Sequence, residues 1–222
     1  MRRLPGFLAL LDPCLYLSIA GYRTMIKDAI AKSLVDLGLE KSSMSGFGEY
    51  YAQKLSGDCS IVVQTNIVSK GRSQIINPRF GFRSEVVEGL YSELRRSGDL
   101  YTCECLFSTL FGIDERLWGV PKTSSGSSEA SLISSKLEGF LAEHRAKPPN
   151  LPYLASLLET RRWGVRFIWK LPVIYFLMGH RDTAARRIAD SEESLKAPGM
   201  PLLADFESFK NKFLSMLESE QQ

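Results

Sequence analysis

Gln64, Asn66, Asn77 and Arg79 are the polar residues whose spacing says most about what this chain can do. Gln64 and Asn66 lie two apart, as do Asn77 and Arg79, and each pair sits in a run of alternating apolar residues. Alternation is the period of a β-strand, so each pair belongs to one face of a sheet. Amide and guanidinium groups on such a face recognise a partner by hydrogen bonds; the competing reading is a solvated polar face. An amide on a strand has a third use, satisfying backbone groups where a strand ends.

Groups that make and break bonds are poorly supplied. The only histidines are His144 and His180, too few for a multi-histidine metal site. Asp114 and Glu115 are neighbours in a turn and face different ways, and Glu49 stands on a strand with no evident partner, so a pair of carboxylates in one cleft is not implied. The serines of the 119–128 segment lack the Gly-x-Ser-x-Gly elbow, and no Gly-x-Gly-x-x-Gly or P-loop occurs. Cys103 and Cys105 share one face of a predicted strand, without the second pair that zinc requires. They read as a buried, reduced pair, with metal or redox chemistry as the alternative, and cytoplasmic residence fits the rest of the chain. The expectation is therefore no catalytic residue, no metal and no cofactor.

Charge narrows the partners. Twenty-eight Lys and Arg against 25 Asp and Glu leave +3, too little for a nucleic-acid surface. Arg161, Arg162, Arg166, Lys170, Arg181, Arg186 and Arg187 recur in the C-terminal half, interleaved with Asp182, Asp190, Glu192 and Glu193. That pattern reads as a solvated helix face or a surface for a protein partner. The most apolar run, Phe167–Met178, contains Lys170 and Pro172 and is too short to span a bilayer. It is predicted to be a core helix kinked or interrupted at Pro172.

The elements that position these residues follow from periodicity. Residues 1–24 read as a poorly packed extension, with an export signal or an ordered first element as alternatives: Arg2 and Arg3 precede an apolar run that Pro5, Asp12 and Pro13 interrupt. A helix is predicted over Met25–Gly38, capped by Thr24, with Ile26, Ile30, Leu34 and Leu37 on one face. A Ser/Gly-rich turn, Ser42–Gly46, leads to three antiparallel strands: Phe47–Leu55, Cys59–Val68 and Ser73–Arg83. Pro78 marks an edge or a bulge. Ser84 caps a helix over Glu85–Arg96 that ends at Gly98, its inner face Val86, Val87, Leu90 and Leu94, with Glu85 and Glu88 near the positive end of its dipole. Tyr101–Phe111 is predicted as a fourth strand, closed by Trp118. After the 119–128 loop the chain reads as helical to its end, broken at 147–150 and near Gly164, with a last helix opened by Pro201. The fold class is α+β: an N-terminal helix, a three- to four-stranded antiparallel meander, and a mostly helical C-terminal half sharing its core.

Leu37-Gly38-Leu39, Val62-Val63-Gln64 and Ile75-Ile76-Asn77 leading to Phe80-Gly81-Phe82 resemble segments of an uncharacterised family of small bacterial α+β domains. The resemblance covers roughly residues 25–85 and departs at Pro78. It implies a binding role, since related α+β folds recur among immunity proteins against toxins. The expectation is a non-catalytic bacterial interaction protein, immunity- or antitoxin-like, that neutralises a toxin by binding through Gln64, Asn66, Asn77 and Arg79. The alternatives are an enzyme with a non-local site, gathering Arg79 or Arg83 with Glu49 or His180, and a regulatory module that binds a peptide at the sheet edge.

Overall fold

A computed structural model describes residues 13–55, 57–70, 73–113, 119–121, 124–160, 163, 167–196 and 203–219, with only the backbone at 13–24, 69–70, 167 and 203. Helix α1 (Pro13–Asp36) begins well before Met25, so Thr24 lies within it and is not its cap. The boundary placed at residue 24 therefore falls inside a continuous helix; residues 1–12 lie outside the described residues. Ile26, Ile30 and Leu34, one helical turn apart, are all fully buried. Gly38, at φ +86°, supplies the left-handed residue that ends the helix.

The chain then turns into β1 (Glu40–Met44) and β2 (Gly48–Lys54). β1 occupies the segment expected to be a turn. It is an edge strand of mostly exposed residues, so it carries none of the apolar alternation that announces a strand. Strands β3 (Cys59–Gln64), β4 (Ile67–Lys70), β5 (Ser73–Ile76) and β6 (Arg79–Ser84) form one long bent hairpin in place of two unbroken strands. Register survives the bend: Gln64 faces Arg79 and Ile67 faces Ile76. The Asn77 N–H donates to the Asn66 carbonyl at 3.0 Å between them. Pro78, which lacks an N–H, sits at this break. Neither flanking strand is an edge, since β5 and β6 each have two neighbours.

Helix α2 (Glu85–Arg95) starts where expected, with Ser84 Oγ accepting from the Val87 N–H. It ends at Arg96, which adopts the left-handed conformation, and not at Gly98. Its buried face is Val87, Glu88, Tyr91 and Leu94; Val86 is exposed. β7 (Cys103–Leu106) pairs antiparallel with β6, but the predicted fourth strand stops there and Phe107–Phe111 is a short helix, α3. Trp118 lies outside the described residues. β8 (Gly119–Pro121), within the predicted loop, pairs with β5. Two antiparallel sheets result, ordered β1-β2-β3-β6-β7 and β4-β5-β8.

Helices α4 (Ser127–Ala146), α5 (Leu151–Glu159), α6 (Phe167–Leu177), α7 (Arg181–Leu195) and α8 (Leu203–Ser219) complete the chain. Pro172 lies inside α6, which runs on past it. Asn150 caps α5 through the Tyr153 N–H at 3.0 Å, after the predicted break at 147–150. One hydrophobic core joins the halves: Ile61, Val63, Phe80 and Phe82 from the main sheet meet Leu137, Leu141, Leu154 and Ile174 from the helices and Trp163 from between α5 and α6.

Candidate functional site

Gln64 and Arg79 stand directly opposite each other on the face of the main sheet turned away from this core. Gln64 is half-buried, and its Nε2 donates to the Phe47 carbonyl in the turn before β2. The Arg79 side chain is 48% exposed and lies 3.9 Å from Glu104 on β7. Burial pushes the Glu104 carboxyl up, against the opposing pull of Arg79 and Lys170. Asn66 is half-buried beside the bend. The structure thus brings Gln64 and Arg79 into one polar strip and leaves Asn66 at the bend beside it, in neither strand.

Asn77 does not join it. Its side chain is buried and makes a double contact with Ser108: Nδ2 donates to Ser108 Oγ at 3.0 Å, and Oδ1 accepts the Ser108 N–H at 3.2 Å. Ser108 is in the first turn of α3, whose own N-cap, Leu106, has no side chain able to accept. Asn77 therefore caps α3 from a neighbouring strand. Period two alone placed Asn77 with Arg79; the bend at Pro78 and the start of a helix beside it redirect the side chain to an orphan backbone donor.

The outer face is also less open than expected. Val62, Leu100 and Tyr101 are buried there as a second apolar cluster, with Met44, Phe47, Tyr50 and Ala52 around them. The segment 96–102 covers it. Gly81 makes this possible, because a Cβ at that position would stand 2.0 Å from the Cys103 carbonyl oxygen and 2.7 Å from the Tyr101 ring.

Behind this segment lies a buried charge cluster. Lys170 of α6 is 0% exposed. Its Nζ donates to Glu88 Oε1 at 2.5 Å and to the Tyr101 carbonyl at 2.5 Å, lies 3.4 Å from Asp99 Oδ2, and sits 4.5 Å from the Tyr91 ring centroid. Thr102 Oγ1 donates to Glu88 Oε1 at 2.7 Å and accepts from the Ser84 N–H at 2.9 Å. Glu88 Oε2 is buried without a partner. Glu88, placed by its sequence position near the positive end of the helix dipole, is also a buried ion-pair partner. The signal in the sequence was Lys170 itself: an ammonium in the most apolar run of the chain requires a buried acid.

The remaining candidates disperse. Glu49 pairs with Lys27 and Lys41, which draw its carboxyl down to about 2. Arg83 bonds Glu85 and the Asp99 carbonyl. His180 lies at the turn before α7, so it is not gathered with Arg79, Arg83 or Glu49. His144 is buried among Phe82, Phe140 and Tyr153. Its Nδ1 faces the Phe140 carbonyl at 2.8 Å, which can only accept, so Nδ1 carries the proton and Nε2 accepts from the Tyr153 hydroxyl at 3.0 Å. Cys59, Cys103 and Cys105 are buried and unbridged, and burial raises all three thiols, Cys59 and Cys105 to about 12. They are poor nucleophiles in that state. Among the described residues no group of three His, Cys, Asp or Glu is arranged to hold a metal ion, and no helix is long and apolar enough to cross a membrane.

The described basic residues singled out in the helical half divide between the core and the surface of α7, where Arg181 and Arg186 line one hollow and Arg186 and Arg187 another. Lys170 is buried, and Arg186 donates to Thr183 at 3.2 Å. Arg187 pairs with Glu159 and, at 3.2 Å, with Asp190 on the rim of a cleft of about 330 Å³. Arg161, Arg162 and Arg166 lie outside the described residues. No protein-family model, curated protein or solved structure matches this chain.

Proposed function

We propose that this chain is a non-catalytic interaction protein, and most specifically a bacterial immunity- or antitoxin-like protein that occludes a toxin. The observation that carries the reading is the polar strip formed by Gln64 and Arg79, which face each other across β3 and β6 beside Asn66 at the bend, with Gln64 bonded to the Phe47 carbonyl and Arg79 near Glu104. Polar groups already fixed in place lose little conformational freedom on binding, which favours recognition. The short segments shared with the bacterial α+β family add support by analogy.

The test is co-expression with the toxin encoded beside this chain, reading growth rescue and co-purification of a stable complex. Arg79→Glu, at an exposed position, is expected to abolish rescue while the free protein remains folded. Full rescue by Arg79→Glu together with Gln64→Ala would remove the strip from the interface, and the absence of any neutralised toxin would end the immunity reading. A second reading, addition of an extended peptide to the edge of β1, is favoured by the exposure of that strand and its pairing on one side alone. Glu40 and Lys41 on the same strand work against it, because charges on an edge discourage strand addition.

A further inference from the structure

We infer that residues 96–102 form a strap, buckled by Lys170, that holds a second apolar surface of the sheet closed. Four consecutive residues carry the fastening. Asp99 lies 3.4 Å from Lys170 through Oδ2, takes the Leu100 N–H on Oδ1 at 2.8 Å, and offers its carbonyl to Arg83. Leu100 is fully buried against Val62. Tyr101 gives its carbonyl to Lys170 and directs its ring over Gly81, with its hydroxyl donating to the Arg79 carbonyl at 3.4 Å. Thr102 donates through its N–H to the Phe82 carbonyl at 2.8 Å and through its hydroxyl to Glu88.

The strap has no regular secondary structure, so it lacks the ladder that holds its neighbours. Its hold on the molecule is the buried charge cluster on one side and the apolar cluster on the other, together with the Thr102–Phe82 and Arg83–Asp99 bonds. Those two supports belong to different elements. Glu88 and Tyr91 come from α2, Lys170 from α6, Arg83 from β6, and Cys103 and Glu104 continue from the strap into β7. Lys170 is the one cation of the described residues that reaches Glu88, Asp99 and the strap backbone together. Removing it deprives the strap of a carbonyl partner and leaves two buried carboxylates facing each other, which drives the segment outward toward water. The surface bared would be Val62, Ala52 and the inner side of Phe47, next to the Arg79 backbone. This device concerns the free protein and stands whether or not the strip binds a toxin.

Hydrogen exchange read by mass spectrometry on the full chain tests it, with an apolar fluorescent dye as a second readout. Asp99→Asn keeps the volume and the Lys170–Glu88 pair, and is expected to speed exchange across residues 97–102 at least about tenfold. Exchange in β2, β3, α7 and α8 is expected to change less than about twofold, and dye binding to rise. Lys170→Met combined with Glu88→Gln, which avoids stranding the Glu88 charge, is expected to give the same local pattern more strongly. Uniform acceleration through the whole chain in both variants would show an ordinary core contact and overturn the strap. So would unchanged exchange at 97–102 in Asp99→Asn.

Discussion

Tyr101 lies between two ion pairs of opposite character. Its carbonyl accepts from Lys170, whose pair with Glu88 is buried on both sides, 0% and 3% exposed, at 2.5 Å. Its hydroxyl reaches the backbone of Arg79, whose pair with Glu104 is 48% and 19% exposed at 3.9 Å. The same two charge types therefore do different work. In the interior each charge has lost its water, so every partner is needed and the geometry is tightly specified. At the surface water screens the pair, which contributes little to stability and leaves Arg79 available to another molecule. On the proposed reading binding belongs at the second site, while the first specifies the fold.

Stability measurements can break that comparison. Lys170→Met is expected to show the largest effect, a loss of about 3–5 kcal/mol in urea unfolding, because it removes the buried cation that answers Glu88 in the core. Adding Glu88→Leu is expected to recover a large part of the loss, since the orphaned charge goes with it. A single-variant loss no larger than that of Arg79→Ala would erase the distinction between the two pairs.

Asn77→Ala sharpens the comparison with a neutral case. It leaves the buried Ser108 N–H without its acceptor and is expected to lose about 1–3 kcal/mol, between the two ion pairs. Exchange of the Ser108 amide is expected to rise more than that of β3. Arg79→Ala is expected to cost at most about 1 kcal/mol, with a difference that shrinks in high salt.

The smallest effect is expected at Glu49, a partly exposed carboxylate between two lysines. Its folded pKa is drawn from the ordinary 4.5 down to about 2, so its contribution is present above the unfolded value and disappears as pH falls through the interval. Glu49→Gln is expected to lower the neutral-pH Tm slightly and, because it removes the contribution that is lost between those two values, to flatten the acid limb of the stability curve there. A neutral-pH loss as large as that of Lys170→Met would show that exposure does not set the rank order.

Individual elements show how far sequence reasoning carries. The Ser84 cap of α2 and the Gly38 stop of α1 were readable because capping is local: the residue that acts is next to the group it satisfies. The alternation of Ile61 and Val63 with Val62 and Gln64 placed the correct residues in the core and put Gln64 on the outer face. The same alternation failed at Asn77, where the chain bends and a helix starts on the next strand. It was silent at β1, where an exposed edge strand needs no apolar face. The inner face of α2 was shifted by one residue because Glu88, a charge, occupies a core position that an apolar count assigns to Val86.

The residues by themselves determined an α+β chain with a helix, an antiparallel sheet and a helical second half, because periodicity records which side of each element meets the core. Only the tertiary structure decided which polar residues face outward and which are spent inside. Lys170 and Glu88 lie 82 positions apart, and Asn77 and Ser108 lie 31 apart. No local pattern links such residues. They become partners because burial removes water from each, and the free energy of an unsatisfied charge or amide is lowered only by whatever group the packed helices and strands bring within reach.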